Sequence, residues 1–369
     1  MQRLIKAAVD RGATVLHIRA GDVFRARIDG RILKLSSQVF TPEETRRIAL
    51  QMLPAGRDPE RIDEIPDFDT SWDVAGVGRF RVHVLRQRGS FVIVMRVIPR
   101  RVPTLDELNL PPVLGEIAGL DHGLVVVTGS VGAGKSTAQA AMVGWINERM
   151  QRHVVTLEAP IEFLHADEAS VVTQREVGVD TDSFAAGVRA ALRQDADVIL
   201  IGEARDRETI DATLRAAELG RLVITTMHAP TALGALMRLF AVFPREERDV
   251  GRLLVAESLR AVVALKLLPR KDGAGPVPAV EVLRVTGAVR DCILTGRPLE
   301  EIHLLMRQGE ASYGMRTFQQ DLERLVEMDF VDYETARAAA PSPADFELVM
   351  QTLADDSRSR LGEIPGEAP

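Results

Sequence analysis

Cysteine occurs once in this 369-residue chain, at Cys292. That excludes an internal disulfide and any tetracysteine zinc site. Lysine is also scarce: five of the 46 basic residues are lysine and the other 41 are arginine. The basic excess that marks most nucleic-acid binders is missing, since 53 acidic residues give a formal charge of −7. Residues 341–369 hold six acids and two arginines, which leaves the rest of the chain close to neutral. No apolar stretch reaches the roughly 18 residues of a membrane span; the longest, 253–268, is interrupted by Glu257, Arg260 and Lys266. At the N-terminus, Asp10 and Arg11 arrive before an apolar signal core can form. No internal repeat and no low-complexity segment is present. The expectation is a cytoplasmic protein that neither binds nucleic acid nor inserts into a membrane.

With 46% hydrophobic and 27% charged residues, the chain is long and apolar enough for more than one ordered core. The pattern divides it. Residues 1–98 read as a small α+β domain: a short helix over 3–11, a strand over 15–19, and a hairpin of 23–28 and 31–35 turned by Asp29-Gly30. A helix opens at Thr41-Pro42-Glu43-Glu44, and two alternating strands follow over 79–86 and 91–98. The stiff segment Pro99-Arg100-Arg101-Val102-Pro103 opens an interdomain linker over 99–110. Residues 111–286 change character. The unbroken apolar runs 124–127, 154–157, 198–201 and 222–225, separated by helical stretches, predict a parallel sheet buried on both faces. Residues 287–340 read as helical, and 341–369 as an acidic, proline-containing, flexible tail.

The strongest chemical signal is Gly129-Ser130-Val131-Gly132-Ala133-Gly134-Lys135-Ser136-Thr137, which matches G-x4-G-K-[ST] between a strand and a helix. Glycines let backbone N–H groups curl round a β-phosphate, and the helix start adds its positive end. Lys135 would sit against the β- and γ-phosphates of ATP, with the Ser136 hydroxyl on Mg²⁺. A compact ammonium stands here in a chain that otherwise prefers arginine. Further along, the apolar run 198–201 leads through Gly202 to Glu203. This is where a strand's carboxyl end would bring an acid to the phosphates; a surface acid opening the next helix is the plainer alternative. Glu158 ends another such run, and His228 follows a fourth. Four strands delivering these groups to one edge make a site.

These pieces resemble one family. The chain is similar to the secretion-superfamily ATPases of type IV pili and type II secretion, and most of all to the PilT-like retraction ATPases. The likeness runs from about residue 3 to about residue 338. It is carried by the 129–137 loop, Thr156-Leu157-Glu158-Ala159-Pro160-Ile161-Glu162-Phe163, Gln174-Arg175-Glu176-Val177, the segment from Leu192 to Asp206, and Thr226-Met227-His228. The resemblance implies a RecA-like P-loop NTPase core with a smaller N-terminal PAS-like α+β domain and C-terminal helices. It also implies a homohexameric ring motor at the cytoplasmic face of the inner membrane. Its partners would be a membrane platform protein of the pilus and, in some systems, a paralogous motor. In such enzymes the residue at Glu158 activates water, the one at Glu203 helps hold Mg²⁺ with its water, and the one at His228 senses phosphate state. Arginines of the N-terminal domain reach the nucleotide, and Arg81 and Arg96 are the candidates by position, with plain solvent-facing charge as the alternative.

Absences choose within the superfamily. Assembly and secretion ATPases usually carry an extra N-terminal domain and a tetracysteine motif, and this chain has neither the length nor the cysteines. Ala288-Val289-Arg290-Asp291-Cys292-Ile293 stands in place of the AIRNLI-like helix of retraction ATPases. Departures remain: Ala159 replaces a second acid, the GASDLH-like segment reads Gly12-Ala13-Thr14-Val15-Leu16-His17, and Gly-Ser-Val-Gly replaces Gly-Pro-Thr-Gly. The expected function is an ATP-driven motor of pilus retraction. The alternatives are an accessory nucleotide-binding ring subunit that modulates another motor, or a type II secretion or pilus assembly ATPase.

Overall fold

The computed structural model describes residues 1–362 apart from Asp29, Ala55 and Arg100, and over residues 353–362 the backbone alone. The chain forms two compact units. The first comprises Met1–Val102 with Thr156–Asp167 and Val172–Gly187; the second comprises Pro103–Val155, Glu168–Val171 and the chain from Val188 onward.

In the first unit, α1 (Gln2–Val9) leads into β1 (Ala13–Arg19), β2 (Val23–Ile28) and β3 (Arg31–Val39). After α2 (Pro42–Gln51) come β4 (Asp67–Val74), β5 (Gly78–Gln87) and β6 (Ser90–Val97). The six strands pair in the order β3-β2-β1-β6-β5-β4, every pair antiparallel. Alternation sorts their side chains. Phe24 and Ala26 of β2, Phe80, Val82 and Val84 of β5, and Ile93 and Met95 of β6 are buried, and they share one core with Ile5 of α1 and Ile48 of α2. Burying such a side chain fully contributes about 1.5–3 kcal/mol. A capping box starts α2, with Thr41 accepting the Glu44 N–H and the Glu44 carboxylate accepting the Thr41 N–H. Gly30 turns the hairpin with φ +76°; its expected companion, Asp29, lies outside the described residues.

Strand β4 was not expected from sequence. Asp67, Asp69 and Asp73 depress its strand propensity. They are tolerated because β4 pairs on one side only, leaving the acids exposed while Phe68 and Val74 are buried.

The second unit begins with α3 (Val113–Ala118), β7 (Gly123–Gly129) and α4 (Lys135–Arg149). The chain then runs through β8 (His153–Glu158), β9 (Val171–Glu176) and α5 (Phe184–Ala191), of which 156–158, 172–176 and 184–187 belong to the first unit, and returns to the second with β10 (Val198–Ile201), α6 (Arg207–Glu218) and β11 (Leu222–Met227). Next come α7 (Ala232–Ala241), α8 (Arg248–Ser258), β12 (Leu259–Pro269) and β13 (Pro276–Arg284). The sheet order is β13-β12-β7-β11-β10-β8-β9. Every residue of β7, β10 and β11 is buried, and the pairs β10–β11, β11–β7 and β7–β12 are parallel, the arrangement that continuous apolar runs predict. Where the sequence suggested four strands there are seven. The apolar stretch 253–268 divides between α8 and β12, and β13 returns antiparallel to β12.

The C-terminal part is helical: α9 (Gly287–Thr295), α10 (Leu299–Gln308), α11 (Glu310–Tyr313), α12 (Phe318–Glu327), α13 (Tyr333–Ala339) and α14 (Pro343–Gly362). Helix α14 occupies 343–362 of the stretch expected as an acidic, flexible tail. Its anchor is Phe346, fully buried beside Phe318 and Leu322 and in ring contact with Tyr333; counting acids and prolines hides one well-placed aromatic. Residues 363–369 of that expected tail lie outside the described residues. A buried carboxylate seats two helices at once. Glu281 of β13 accepts the Ala232 N–H that opens α7, at 2.6 Å, and the Phe318 N–H that opens α12, at 3.4 Å. Burial raises its pKa against those bonds. Among the described residues, no helix is long and apolar enough to cross a membrane.

Candidate active site

The glycine-rich loop closes β7 and opens α4 in the expected order of strand, loop and helix. Gly129 has φ +147°, and a Cβ there would meet the Leu265 carbonyl oxygen at 2.5 Å. Gly132 and Gly134 also have positive φ, so three turns of the loop suit glycine. Helix α4 has no capping side chain; Gly134 occupies the N-cap position in the left-handed region. The first N–H groups of a helix need partners, and an anion is one. Lys135 is buried and its Nζ donates to the carbonyls of Gly129 and Ser130, at 3.0 and 2.8 Å. Ala133 is buried, whereas Val131 and Ser136 are exposed and Thr137 is half-buried. The Ser136 hydroxyl therefore stands open at the first turn of α4.

Parallel register places Glu203 and His228 at the same sheet edge as this loop. Met227 pairs with Thr128 and Ile201 with Thr225, so β7, β10 and β11 present their carboxyl ends together. The Thr128 hydroxyl bonds the carbonyl of Ala229 at 2.8 Å and lies 2.9 Å from the Ala229 N–H, tying the loop's strand to the residue after His228. The Thr226 hydroxyl donates to the Gly202 carbonyl at 2.6 Å, and the Ala204 N–H donates to the Thr226 carbonyl. His228 Nε2 lies 2.9 Å from Glu203 Oε1, and Arg205 Nε lies 2.5 Å from the same oxygen. Both nitrogens close over this oxygen, which is buried and has no hydrogen bond of good geometry among the described residues. A cleft of about 580 Å³ opens here, lined among others by Glu203, Arg205, His228 and Arg238.

Among the described residues, no group of three or more His, Cys, Asp or Glu forms a metal cage. Magnesium bound beside phosphates needs only one or two protein oxygens. The exposed Ser136 hydroxyl and the Glu203 carboxylate are oxygens of that kind.

Glu158 belongs to the first unit. Its Oε1 accepts from the Thr156 hydroxyl at 2.7 Å and from Gln174 Nε2 at 3.1 Å, while Oε2, among the described residues, takes the Glu162 N–H at 3.4 Å. Burial raises its pKa above the usual glutamate value, opposed by the bonds from Thr156 and Gln174. Gln174 also donates to the Phe163 carbonyl and accepts the His165 N–H, both at 2.9 Å, so one amide side chain closes the loop after Glu158. Sequence alone gave Gln174 no role; its polar spacing to Glu176 along one strand was the available signal.

Arg81 and Arg96 sit directly opposite each other across β5 and β6, and both are exposed. Like charges in that position repel.

A phosphate-cradling loop on a buried parallel sheet, with a carboxylate and an imidazole at adjacent strand ends, defines a P-loop ATPase. The chain belongs to the Type II/IV secretion system protein family, which matches residues 73–310. It is 36% identical to the type IV pilus ATPase PilU of Pseudomonas aeruginosa, over 98% of this chain and 94% of that protein. It is 37% identical to the type IV pilus retraction ATPase PilT of the same organism, over 93% of this chain and 98% of that protein. A crystal structure of the pilus retraction motor PilT with bound ADP matches with a TM-score of 0.85 and 37% identity, covering 94% of this chain and 98% of that one. The fold is a RecA-like P-loop NTPase core with a smaller N-terminal α+β domain and C-terminal helices. The chain binds nucleotide and hydrolyses ATP.

Proposed function

We propose that this chain is the subunit of a homohexameric motor that hydrolyses ATP to retract a type IV pilus. One observation carries the reading: the likeness to retraction ATPases extends over nearly the whole chain, and the Lys135–Ser136 loop within it is intact. Residues 1–98 would serve as the N-terminal domain, 99–110 as the linker, 111–286 as the ATPase core and 287–340 as the helical region that follows. The ring would work at the cytoplasmic face of the inner membrane, against a platform protein of the pilus, with a paralogous motor as a further partner.

Phosphoryl transfer asks a protein for positioning and charge neutralisation more than for covalent chemistry. The loop N–H groups from Gly129 to Thr137 and the start of α4 would cradle the phosphates. Lys135 Nζ would exchange its two loop carbonyls for β- and γ-oxygens. Ser136 and Glu203 would hold Mg²⁺, which when bound neutralises charge between those phosphates. Glu158 would orient the attacking water: with Oε1 held by Thr156 and Gln174, Oε2 is left to accept the water's proton. A new water-oxygen bond to the γ-phosphorus forms as the bond to the bridging oxygen breaks. A raised pKa brings Glu158 nearer the working pH of a general base. Arg81 and Arg96 would meet the phosphate charge. His228, tied to Glu203 and through Ala229 to Thr128, would register whether the γ-phosphate is present.

Steady-state ATP hydrolysis with Mg²⁺ tests this on wild type, Lys135→Ala and Glu158→Gln, together with restoration of twitching in a strain lacking its retraction ATPase. Turnover lost in both variants and twitching restored by wild type support the reading. Wild-type turnover no faster than that of Glu158→Gln overturns it. That outcome would favour the second reading, an accessory nucleotide-binding ring subunit, which the substitution at Ala159 motivates.

A further inference from the structure

The family likeness leaves Glu176 without a task, yet few carboxylates in the chain are as fully engaged. Glu176 is buried on β9. The Ser71 hydroxyl of β4 lies within 2.8 Å of both its oxygens, and Arg79 Nη2 of β5 donates to Oε2 at 3.0 Å. The same Oε2 accepts the Ile161 N–H at 3.3 Å, from the loop that follows Glu158. Two residues earlier on the same strand, Gln174 holds Glu158 itself. Residues 174 and 176 point to the same side of a strand. One short strand thus grips the N-terminal sheet with one side chain and the water-orienting carboxylate with the next.

We propose that Glu176 is a positioning residue. Through β9 it makes the placement of Glu158 depend on the N-terminal sheet, with Ser71 and Arg79 as the sheet's contacts. This rests on Glu158 acting in hydrolysis as proposed above. A carboxylate serving stability alone needs partners, but no particular ones. Here the partners are split between the sheet and the catalytic loop, and a shift of either moves the other. Among the described residues neither Ser71 nor Arg79 hydrogen-bonds Glu158; both bond Glu176, and Arg79 also pairs with Asp73 on the neighbouring strand, so replacing them tests the linkage without altering the sequence of β9.

The experiment uses the full chain and compares wild type, Ser71→Ala, Arg79→Gln and Arg79→Lys, alone and combined with Glu158→Gln. Displacing a catalytic group by about 1 Å costs up to roughly 10²-fold. The expected result is kcat lowered about tenfold or more in Arg79→Gln, with ATP affinity and melting temperature close to wild type. Arg79→Lys, which keeps a charge and a donor, recovers part of the loss. The decisive readout is coupling: in the Glu158→Gln background, Arg79→Gln should lower the residual turnover no further, because residues acting as a unit are not additive. An equal fold-loss in both backgrounds overturns the inference, as does a loss of turnover matched by a loss of affinity or melting temperature. Unchanged kcat in Arg79→Gln and Ser71→Ala also overturns it. Wild-type turnover in Glu158→Gln alone would instead sink the catalytic reading beneath it, so the two failures are told apart.

Discussion

His228 and Glu203 meet at a single oxygen, with Nε2 2.9 Å from Oε1, at the ends of adjacent parallel strands. Arg205 Nε lies 2.5 Å from the same oxygen, so the carboxylate is flanked by an imidazole and a guanidinium. Replacing His228 with alanine is expected to leave ATP affinity within a few-fold of wild type and to lower kcat about 10²-fold or more, the scale of one polar group lost from a charged transition state. Phosphate release and fluorescent-nucleotide titration separate the two quantities.

Lys135→Ala should act on binding. Removing a charge-assisted partner of the phosphates costs about 1.5–3 kcal/mol, so ATP affinity is expected to fall roughly 10–10²-fold. Calorimetric titration reads this directly. Glu158→Gln should keep the affinity and lose the turnover.

The acid limb of the pH–rate profile should report Glu158. Burial raises its pKa, so the carboxylate that accepts the water's proton is lost at a higher pH than for an ordinary glutamate, whose value is 4.5. Gln174→Met removes a bond that favours the charged form, and the limb should move higher still. A limb that stays fixed would detach Glu158 from the rate.

The same shift predicts a stability effect of opposite sign to the activity effect. A carboxylate with a raised folded pKa contributes stability that is present below its unfolded pKa and lost as pH rises through the folded one. At neutral pH the ionised Glu158 therefore burdens the fold. Glu158→Gln is expected to raise the melting temperature at pH 7–8, near neutrality, and the gain should vanish on acidification below the glutamate's unfolded pKa. Thermal melts at several pH values check it.

Gly129→Ala should damage the loop through its backbone. The residue has φ +147°, and the added Cβ falls 2.5 Å from the Leu265 carbonyl oxygen. A strained backbone of this kind costs about 1–3 kcal/mol. Apparent melting should fall by several degrees, with nucleotide affinity reduced alongside.

What was legible in the sequence was whatever lies contiguous along it. The loop from Gly129 to Thr137, between a buried strand and a helix, needs only neighbours in sequence to be recognised, as do the capping box at Thr41 and Glu44 and the alternation in β5 and β6. Features that depend on distant partners were harder. Strand β4 carries three aspartates that look like loop until its edge position is known. Strand β12 shares the apolar stretch 253–268 with α8, and the switch from helix to strand at Leu259 has no glycine or proline to mark it. Gln174 and Glu176 stood out as a motif but received no role, because their partners at 158, 161, 71 and 79 come from elsewhere in the chain. Phe346 was lost among the acids of the tail.

Glu281 bears on how this protein can be shortened. Its buried carboxylate is shared between the start of α7, four residues beyond His228, and the start of α12. A chain trimmed before Thr317 to obtain a minimal ATPase would keep every group proposed to touch ATP, yet would leave that carboxylate with half its partners in an apolar interior. Such a truncation should lose turnover through a loosened α7 rather than through any missing catalytic atom. Glu281→Leu, which removes the stranded charge, is the control that would tell the two apart.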